Sequence, residues 1–349
     1  MNGYNVAILG ATGAVGSRLI DQLAQSTIPV KNLKLLASKR SAGKILQFKG
    51  ESLTVEQTTV DSFKNIDLVL ASAGGEVSKK FLPIAVEAGA VCVDNTSAFR
   101  MDPDVPLVIP EVNRNALKKH HGIIANPNCS TIQMVLALAP IRQKFGLKQV
   151  IVSTYQAISG AGQAAWQELL DQTKQHLYDK PMTAKITPVK GAANHYPQAF
   201  NLLPQIDVFE KDGYTHEEWK MIHETKKILL DDMDSPDIKV TATCVRVPVE
   251  IGHGESIYLV TADKTATVSD LHTLLATAPG IIVQDEPAKQ LYPQPLTAAG
   301  KRETFVGRIR LDEENPGAFN IWVVADNLLK GAAWNTVEVA ECLVADDLM

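Results

Sequence analysis

Cys129 is the residue whose sequence context most favours nucleophilic chemistry. It lies in the segment NPNCSTIQ, directly before an apolar run that is typical of a helix. The dipole and the N–H groups of a helix N-terminus stabilise a thiolate, the reactive form of cysteine, and polar neighbours of the thiol can cap the helix or donate to an oxyanion. Many free cysteines are inert and buried, and the other three in this chain fit that alternative better.

A cysteine nucleophile needs a general acid or base, and His253 is the first candidate because it lies between two glycines in GHGE. The glycines could let the chain present the ring into a cleft, although a turn residue is an equal alternative and His195 is the next candidate. Arg246 and His253 would face opposite sides of one straight strand. A shared pocket therefore requires a bend near Pro248 or Gly252.

Three further charged residues are candidate ligands for a substrate. Glu217 and Lys220 are three residues apart on one face of a helix that Thr215 could cap, although such a pair usually belongs to a solvated surface. Arg100 follows the fourth predicted strand, at the strand end where ligands of open parallel sheets bind.

The segment GATGAVG, residues 10–16, is a candidate phosphate-binding loop. It connects a strand-like run, Asn5–Leu9, to a helix-like pattern, so its glycines would allow a tight turn and its N–H groups would face a pyrophosphate. The GxxGxxG spacing is weak evidence alone, and its position between strand and helix strengthens it. A glycine-rich turn without a ligand is the alternative.

The end of the second predicted strand favours NADP over NAD. NAD-binding folds usually have an acid there, whereas this chain reads LASKRSAG over residues 36–43. Arg40 could hold a 2′-phosphate through two hydrogen bonds. The alternative is a solvated basic turn.

The order of elements predicts two domains and an α/β fold class. Strands alternate with helices over residues 1–128, which predicts a doubly wound parallel sheet of the Rossmann type. Longer alternating strands such as Gln149–Gln156 and Val240–Val249 follow, which predicts a second domain with a mostly antiparallel sheet that has one covered face. We assign residues 1–128 plus about 326–349 to the first domain and 129–325 to the second. Residues 180–213 have little periodicity and read as a functional or interface loop.

Composition excludes several classes of protein. A net charge of -5 over 349 residues argues against a nucleic-acid binder. The apolar runs are shorter than the roughly 20 residues of a membrane span, and we see no signal peptide. The four cysteines are scattered, which favours a reducing, cytoplasmic setting, and no spacing typical of metal ligands is found.

Nine segments in order resemble the aspartate-β-semialdehyde dehydrogenase family: GATGAVG, ASKRSAGK, DNTSAFRMD, PEVN, NPNCSTIQ, TYQAISGAG, EEWKM with ETKKIL, RVPVEIGHGES and ADNLLKGAAWN. The resemblance implies a Rossmann domain formed by the N-terminal part and the C-terminal helix, with an α+β catalytic and dimerisation domain between them. It also implies a homodimer that reduces L-aspartyl-4-phosphate with NADPH to L-aspartate-4-semialdehyde through a cysteine thioester. That step leads to lysine through diaminopimelate, to threonine and to methionine.

The resemblance also implies roles for individual residues. Cys129 would be the nucleophile, His253 the general acid/base, and Gln156 would orient the substrate. Arg246 would bind the substrate carboxylate and Glu217 the amine. The phosphate would lie on Arg100, Lys220 and Asn128. NADP would contact Gly10, Thr12, Gly13, Ala14, Val15, Ser38, Arg40, Ser41, Ser72, Ala73, Gly74, Ser159, Gly160, Ala161, Gly162 and Asn327.

Two alternatives compete with this interpretation. An N-acetyl-γ-glutamyl-phosphate reductase would share the domain plan and the cysteine chemistry but act on an acetylated, longer substrate. A free amine needs an acid near it, and Glu217 fits that need. A catalytically degenerate NADP-binding homologue is the second alternative, and the presence of Cys129, Gln156, Arg246 and His253 argues against it.

Overall fold

The chain forms two compact units. The computed structural model describes residues 3–349, so the first two residues of the predicted first domain lie outside the described part. The first unit runs to Asn128 and resumes at Gly331–Met349, and the second unit is Cys129–Lys330. Residues 326–330, which we assigned to the first domain, thus belong to the second unit.

The first unit alternates strands and helices. Its elements are β1 (Tyr4–Leu9), α1 (Ala14–Ala24), β2 (Val30–Ala37), β3 (Ile45–Phe48), β4 (Glu51–Thr54), β5 (Glu56–Gln57), β6 (Leu68–Ala71), α2 (Gly75–Glu87), β7 (Val91–Asp94), α3 (Pro110–Asn113) and β8 (Ile123–Ala125). Within residues 3–349, six of these strands form one parallel sheet in the order β5-β2-β1-β6-β7-β8. The central strands are buried along their whole length, as expected where both faces are covered.

The strand order is that of a dinucleotide-binding fold. Numbered along the chain, the six strands read 3-2-1-4-5-6, with the topological switch point between β1 and β6. The predicted Rossmann-type parallel sheet is therefore confirmed.

The second unit has a mixed sheet. Its elements are α4 (Cys129–Phe145), β9 (Gln149–Gln156), α5 (Gln163–Leu177), α6 (His216–Leu230), β10 (Lys239–Arg246), β11 (His253–Val260), α7 (Val268–Ala276), β12 (Ile281–Val283), α8 (Pro295–Ala298), β13 (Thr304–Leu311) and β14 (Ala318–Ala325). In the described chain the sheet order is β10-β9-β11-β14-β13-β12. The three inner pairs are antiparallel, as predicted for most of the sheet, and the two outer pairs are parallel.

The C-terminal helix α9 (Trp334–Ala345) belongs to the first unit. Its buried residues Val337 and Ala340 pack in one apolar cluster with Leu19 and Leu23 of α1. No helix in residues 3–349 is long and apolar enough to cross a membrane.

One predicted strand is shorter than expected, and this decides the geometry of the site. We expected a strand over Val240–Val249, but β10 ends at Arg246, ahead of Pro248, which has no N–H to donate to a ladder. The chain then turns through Gly252, whose φ is +96°, and β11 begins at His253. Arg246 and His253 therefore lie on different strands.

Candidate active site

Three strands end or begin at the same edge of the second sheet. Arg246 pairs with Gln156 at the ends of the parallel strands β10 and β9. On the other side of β9, Gly254 pairs with Tyr155, so His253 begins β11 close to Gln156. The turn through Gly252 thereby brings to one edge residues that a straight strand would separate.

Cys129 is the first residue of α4, and its sulfur lies against a histidine. The distance from Cys129 Sγ to His253 Nε2 is 3.2 Å. Cys129 is half-buried, whereas Cys92, Cys244 and Cys342 are buried. Burial raises the pKa of each of those three thiols above its ordinary value. The three are therefore poor nucleophiles, as the sequence context indicated.

The backbone of Ala157 determines which nitrogen of His253 carries the proton. The Ala157 N–H donates to Nδ1 at 3.0 Å, so the neutral ring has its proton on Nε2, facing the sulfur. Burial and the positive charge of Arg246 lower the pKa of His253 to about 3. The ring is therefore neutral near pH 7 and is placed to donate a hydrogen bond to the Cys129 thiolate.

Arg246 is a buried cation beside the same backbone segment. Its Nη1 donates to the Ala157 carbonyl oxygen at 2.7 Å. Burial lowers the pKa of its guanidinium, and the charges of Glu217 and Cys129 oppose that shift. Ala157 thus fixes both Arg246 and His253 through its backbone.

Glu217 is part of the buried site and not of a solvated surface. Thr215 caps α6 in a capping box with Glu218, and this places Glu217 in the first turn. Gln156 Nε2 donates to Glu217 Oε1 at 3.1 Å, and Lys220 Nζ donates to Glu217 Oε2 at 3.3 Å. A carboxylate near a buried guanidinium is suited to a ligand that carries both a negative and a positive charge.

The glycine-rich loop of the first unit has the geometry of a phosphate-binding turn. Gly10 has φ +90°, and a Cβ there would lie 2.5 Å from the Ser72 carbonyl oxygen. A Cβ on Gly16 would lie 2.0 Å from the Gly10 carbonyl oxygen, so neither position tolerates a side chain. Gly13 is the N-cap residue of helix α1, so no side chain covers the N-terminus of the helix at this position. The loop therefore fits a pyrophosphate at the N-terminus of α1.

Two more turns follow neighbouring strands of the same sheet. The turn after β6 contains Ser72, Ala73 and Gly74, and a Cβ on Gly74 would meet open space. After β2, Ser38 and Arg40 are exposed in a short 3-10 turn while Ser41 is buried. Because β2, β1 and β6 are adjacent, these turns share the edge at which parallel sheets bind nucleotides.

Comparison with known proteins gives the same family over both units. A family model described as "Semialdehyde dehydrogenase, NAD binding domain" matches residues 5–120, and one described as "Semialdehyde dehydrogenase, dimerisation domain" matches residues 138–330. An aspartate-semialdehyde dehydrogenase of Bacillus subtilis (strain 168) is 54% identical and covers 98% of this chain and 97% of its own. The chain belongs to the aspartate-semialdehyde dehydrogenase family.

Solved structures of aspartate semialdehyde dehydrogenases support the assignment. Aspartate semialdehyde dehydrogenase II from Vibrio cholerae, in complex with ASA, is similar with a TM-score of 0.90 at 44% identity, over 99% of both chains. The enzyme from Candida albicans, solved with NADP, has a TM-score of 0.75 at 27% identity, over 99% of this chain and 100% of that one. The predicted family is therefore confirmed.

Two of the predicted substrate residues, Arg100 and Asn128, lie in the first unit. Arg100 is buried, and it donates from Nε to the Asn126 carbonyl at 2.8 Å and from Nη2 to the Asn95 carbonyl at 2.9 Å. Asn128 is buried and directly precedes Cys129, the predicted nucleophile. The structure brings Cys129, Gln156, Glu217, Arg246 and His253 together in the second unit.

Three of the predicted cofactor residues, Ser159, Gly160 and Asn327, lie beside His253 or beside the turn that precedes it. Ser159 and Asn327 are buried and hydrogen-bonded at 3.0 Å, and Asn327 Oδ1 accepts the Gly252 N–H at 2.9 Å. A Cβ on the exposed Gly160 would lie 3.6 Å from the His253 ring. Ala161 and Gly162 complete this turn. These contacts position the turn that leads into His253, and the cofactor contacts stay predictions.

Several residues of the site escaped the sequence argument. Gln133 lies one helical turn after Cys129, and its Nε2 donates to the His253 carbonyl at 3.3 Å. Glu255 is fully buried two residues after His253, and Asp207 contacts Lys220. The helical spacing of Gln133 and the strand alternation of Glu255 were usable signals, whereas nothing local pointed to Asp207. His195, the alternative base, contacts the Thr187 carbonyl instead.

Proposed function

We propose that this chain reduces L-aspartyl-4-phosphate with NADPH to L-aspartate-4-semialdehyde and phosphate. The observation that carries the proposal is the 3.2 Å contact between Cys129 Sγ and His253 Nε2. Buried Arg246 and Glu217 lie at the same sheet edge and suit an amino-acid substrate. Relatives solved with ASA and with NADP support it.

The chemistry begins at sulfur. The Cys129 thiolate attacks the acyl carbon, the C–O bond to phosphate breaks, and phosphate leaves with that electron pair, so that a thioester forms. When bound, the nicotinamide cofactor would supply the hydride that reduces the thioester, and the resulting oxyanion would expel the Cys129 thiolate as the aldehyde forms. The Nε2–H of His253 donates a hydrogen bond to the Cys129 thiolate before the attack. It donates this hydrogen bond again when the C–S bond breaks and the thiolate is restored. An acid/base role for His253 beyond this donation is implied by the family resemblance.

Recognition of the substrate is assigned to four charged side chains and the amide of Asn128. Arg246 would hold the α-carboxylate, and Glu217, itself held by Gln156, would hold the α-ammonium. Arg100 and Lys220, with Asn128, would hold the phosphate. An N-acetylated substrate has no ammonium to satisfy Glu217, so this carboxylate favours aspartyl phosphate over N-acetyl-γ-glutamyl phosphate.

NADP would be held by the first unit. The Gly10–Gly13 turn and the Ser72–Gly74 turn would receive the phosphates, because glycine allows the backbone to approach closely at both. Ser38, Arg40 and Ser41 would bind the 2′-phosphate. Arg40 is exposed and carries the charge that this contact needs.

A second copy of this chain is the expected partner. Residues 138–330 match a dimerisation domain, and the second unit exposes apolar side chains on β9 and in the segment between α5 and α6. They are Ile151, Tyr155, Tyr178, Tyr196, Phe200 and Phe209. Exposed patches of this kind mark association surfaces. The cytoplasmic setting expected from four free cysteines stays a prediction.

The proposal is tested in the reverse direction. The purified chain should reduce NADP when aspartate semialdehyde and inorganic phosphate are added, and N-acetylglutamate semialdehyde should be a much poorer substrate. Glu217→Gln should weaken use of aspartate semialdehyde, since the amide cannot pair with the ammonium. Equal rates with both aldehydes, or no turnover with either, would refute the assignment.

A further inference from the structure

The irregular segment between α5 and α6 extends to the candidate active site. It spans residues 178–215, and the sequence offered no motif over residues 180–213 within it. Leu203 and Arg246 exchange two backbone hydrogen bonds, of 3.1 Å and 2.8 Å. The segment is thereby tied to the end of β10, beside the predicted substrate cation Arg246.

Four residues beyond that anchor, Asp207 reaches the second predicted substrate cation. Its Oδ2 accepts from Lys220 Nζ at 2.9 Å, and the same ammonium donates to Glu217 Oε2 at 3.3 Å. Asp207 also acts electrostatically on Arg246. Lys220, which would bind the substrate phosphate, is therefore paired with two carboxylates of the protein itself.

The two carboxylates differ in how firmly they are held. Glu217 is in a helix, buried, and accepts a hydrogen bond from Gln156. Asp207 lies in irregular chain, and its side chain is 34% exposed compared with 6% for Glu217. A phosphate dianion that approaches Lys220 meets the charge of Asp207 at close range, so the two anions compete for one ammonium. Of the two carboxylates, Asp207 is therefore the one that phosphate can displace from Lys220.

We propose that Asp207 is an internal competitor for the phosphate group, which occupies Lys220 when the site is empty and returns when phosphate leaves. The inference rests on the proposed function, in which Lys220 binds phosphate. It makes Asp207 a residue that lowers the affinity for phosphate and thereby favours release of this product.

The test is Asp207→Asn, with inorganic phosphate as the probe in the reverse reaction. Asparagine is nearly isosteric, can still accept the Val208 N–H that Asp207 Oδ1 accepts at 2.9 Å, and tolerates the φ of +69°. We expect the KM for phosphate to fall about two- to fivefold, the change typical of a partly exposed ion pair. The KM for NADP should not change, and the KM for aspartate semialdehyde should change less than that for phosphate, because Asp207 contacts Lys220 but acts on Arg246 only through its charge.

The matched control is Asp212→Asn. This residue lies in the same segment, has φ +60°, is 65% exposed and is paired only distantly, at 3.9 Å, with Lys211. It changes the net charge equally, and its phosphate KM should equal that of the unmodified chain. An equal fall in both variants would show a general charge effect and overturn the proposal.

Lys220→Ala separates this inference from the proposed function. It should raise the phosphate KM about tenfold or more, and adding Asp207→Asn to it should then have no effect. If Lys220→Ala weakens phosphate binding but Asp207→Asn raises the KM or leaves it unchanged, the competition is refuted and Lys220 keeps its role. An unchanged phosphate KM in Lys220→Ala would refute both the role of Lys220 in phosphate binding and the competition by Asp207.

Discussion

The hydrogen bond from His253 to Cys129 predicts how the reactivity of the thiol depends on pH. His253→Ala removes the Nε2–H donor, whose nitrogen lies 3.2 Å from Cys129 Sγ. A hydrogen bond to a charged group contributes about 1.5–3 kcal/mol, and 1.36 kcal/mol corresponds to about one pKa unit. The pKa of Cys129 should therefore rise by about 1–2 units in the variant, because the thiolate loses its donor.

The assay is the rate of alkylation by iodoacetamide between pH 5 and 10, with the modified residue identified by peptide mapping. Cys92, Cys244 and Cys342 serve as internal controls, since burial raises their pKa values and they should react slowly in both proteins. Cys129→Ser gives the background. His253→Gln restores a neutral N–H donor and should recover part of the shift.

The position of His253 also predicts what should be missing from the profile. With a pKa lowered to about 3, the ring stays neutral throughout this range. The alkylation profile of the unmodified chain should therefore show no inflection near pH 6.5 that depends on His253. Such an inflection, or identical profiles for both proteins, would refute the role of the neutral ring as thiolate donor. The first result would instead identify an imidazolium partner.

Three more predictions test other parts of the structure. Arg40→Ala should raise the KM for NADPH about 10- to 150-fold and that for NADH much less, because only NADPH has the 2′-phosphate; equal effects would refute this reading. Gly16→Ala should lower the free energy of unfolding by about 1–3 kcal/mol and weaken NADP binding, since its Cβ would lie 2.0 Å from the Gly10 carbonyl oxygen. Gly75→Ala, whose nearest neighbour would be 4.0 Å away, is the control and should change little in urea denaturation and cofactor titration. Burial raises the pKa of Glu255 well above its ordinary value. The native state therefore keeps a proton on Glu255 at pH values at which the unfolded chain has released it. As a result, Glu255 lowers the free energy of unfolding increasingly as the pH rises above about 4.5. Glu255→Gln should be more stable than the unmodified chain at pH 8, by a margin in urea denaturation that shrinks towards pH 5; a margin that grows on acidification contradicts it.

Local patterns of the sequence were sufficient for the parts of the fold that depend on neighbours along the chain. The glycines of GATGAVG required a strand before them and a helix after them, and the structure has β1 and α1 in those places. The apolar run after Cys129 predicted a helix that begins at the thiol, and α4 begins there. Alternation of strands and helices predicted the parallel sheet, because parallel strands need a crossover between them.

The chemistry of the site depended on contacts between distant segments, which no local pattern contains. Glu217 and Lys220 have the spacing of an ordinary surface pair, and only the packing of α6 against β10 buries the carboxylate. Arg246 and His253 meet because two strands pair on either side of β9. Ala157 acts through its backbone N–H and carbonyl, which every non-proline residue has, so its side chain gave no signal. The sequence alone thus determined the elements and the reactive groups, whereas strand register and burial decided their partners and protonation states, because hydrogen bonding and desolvation depend on distances in space.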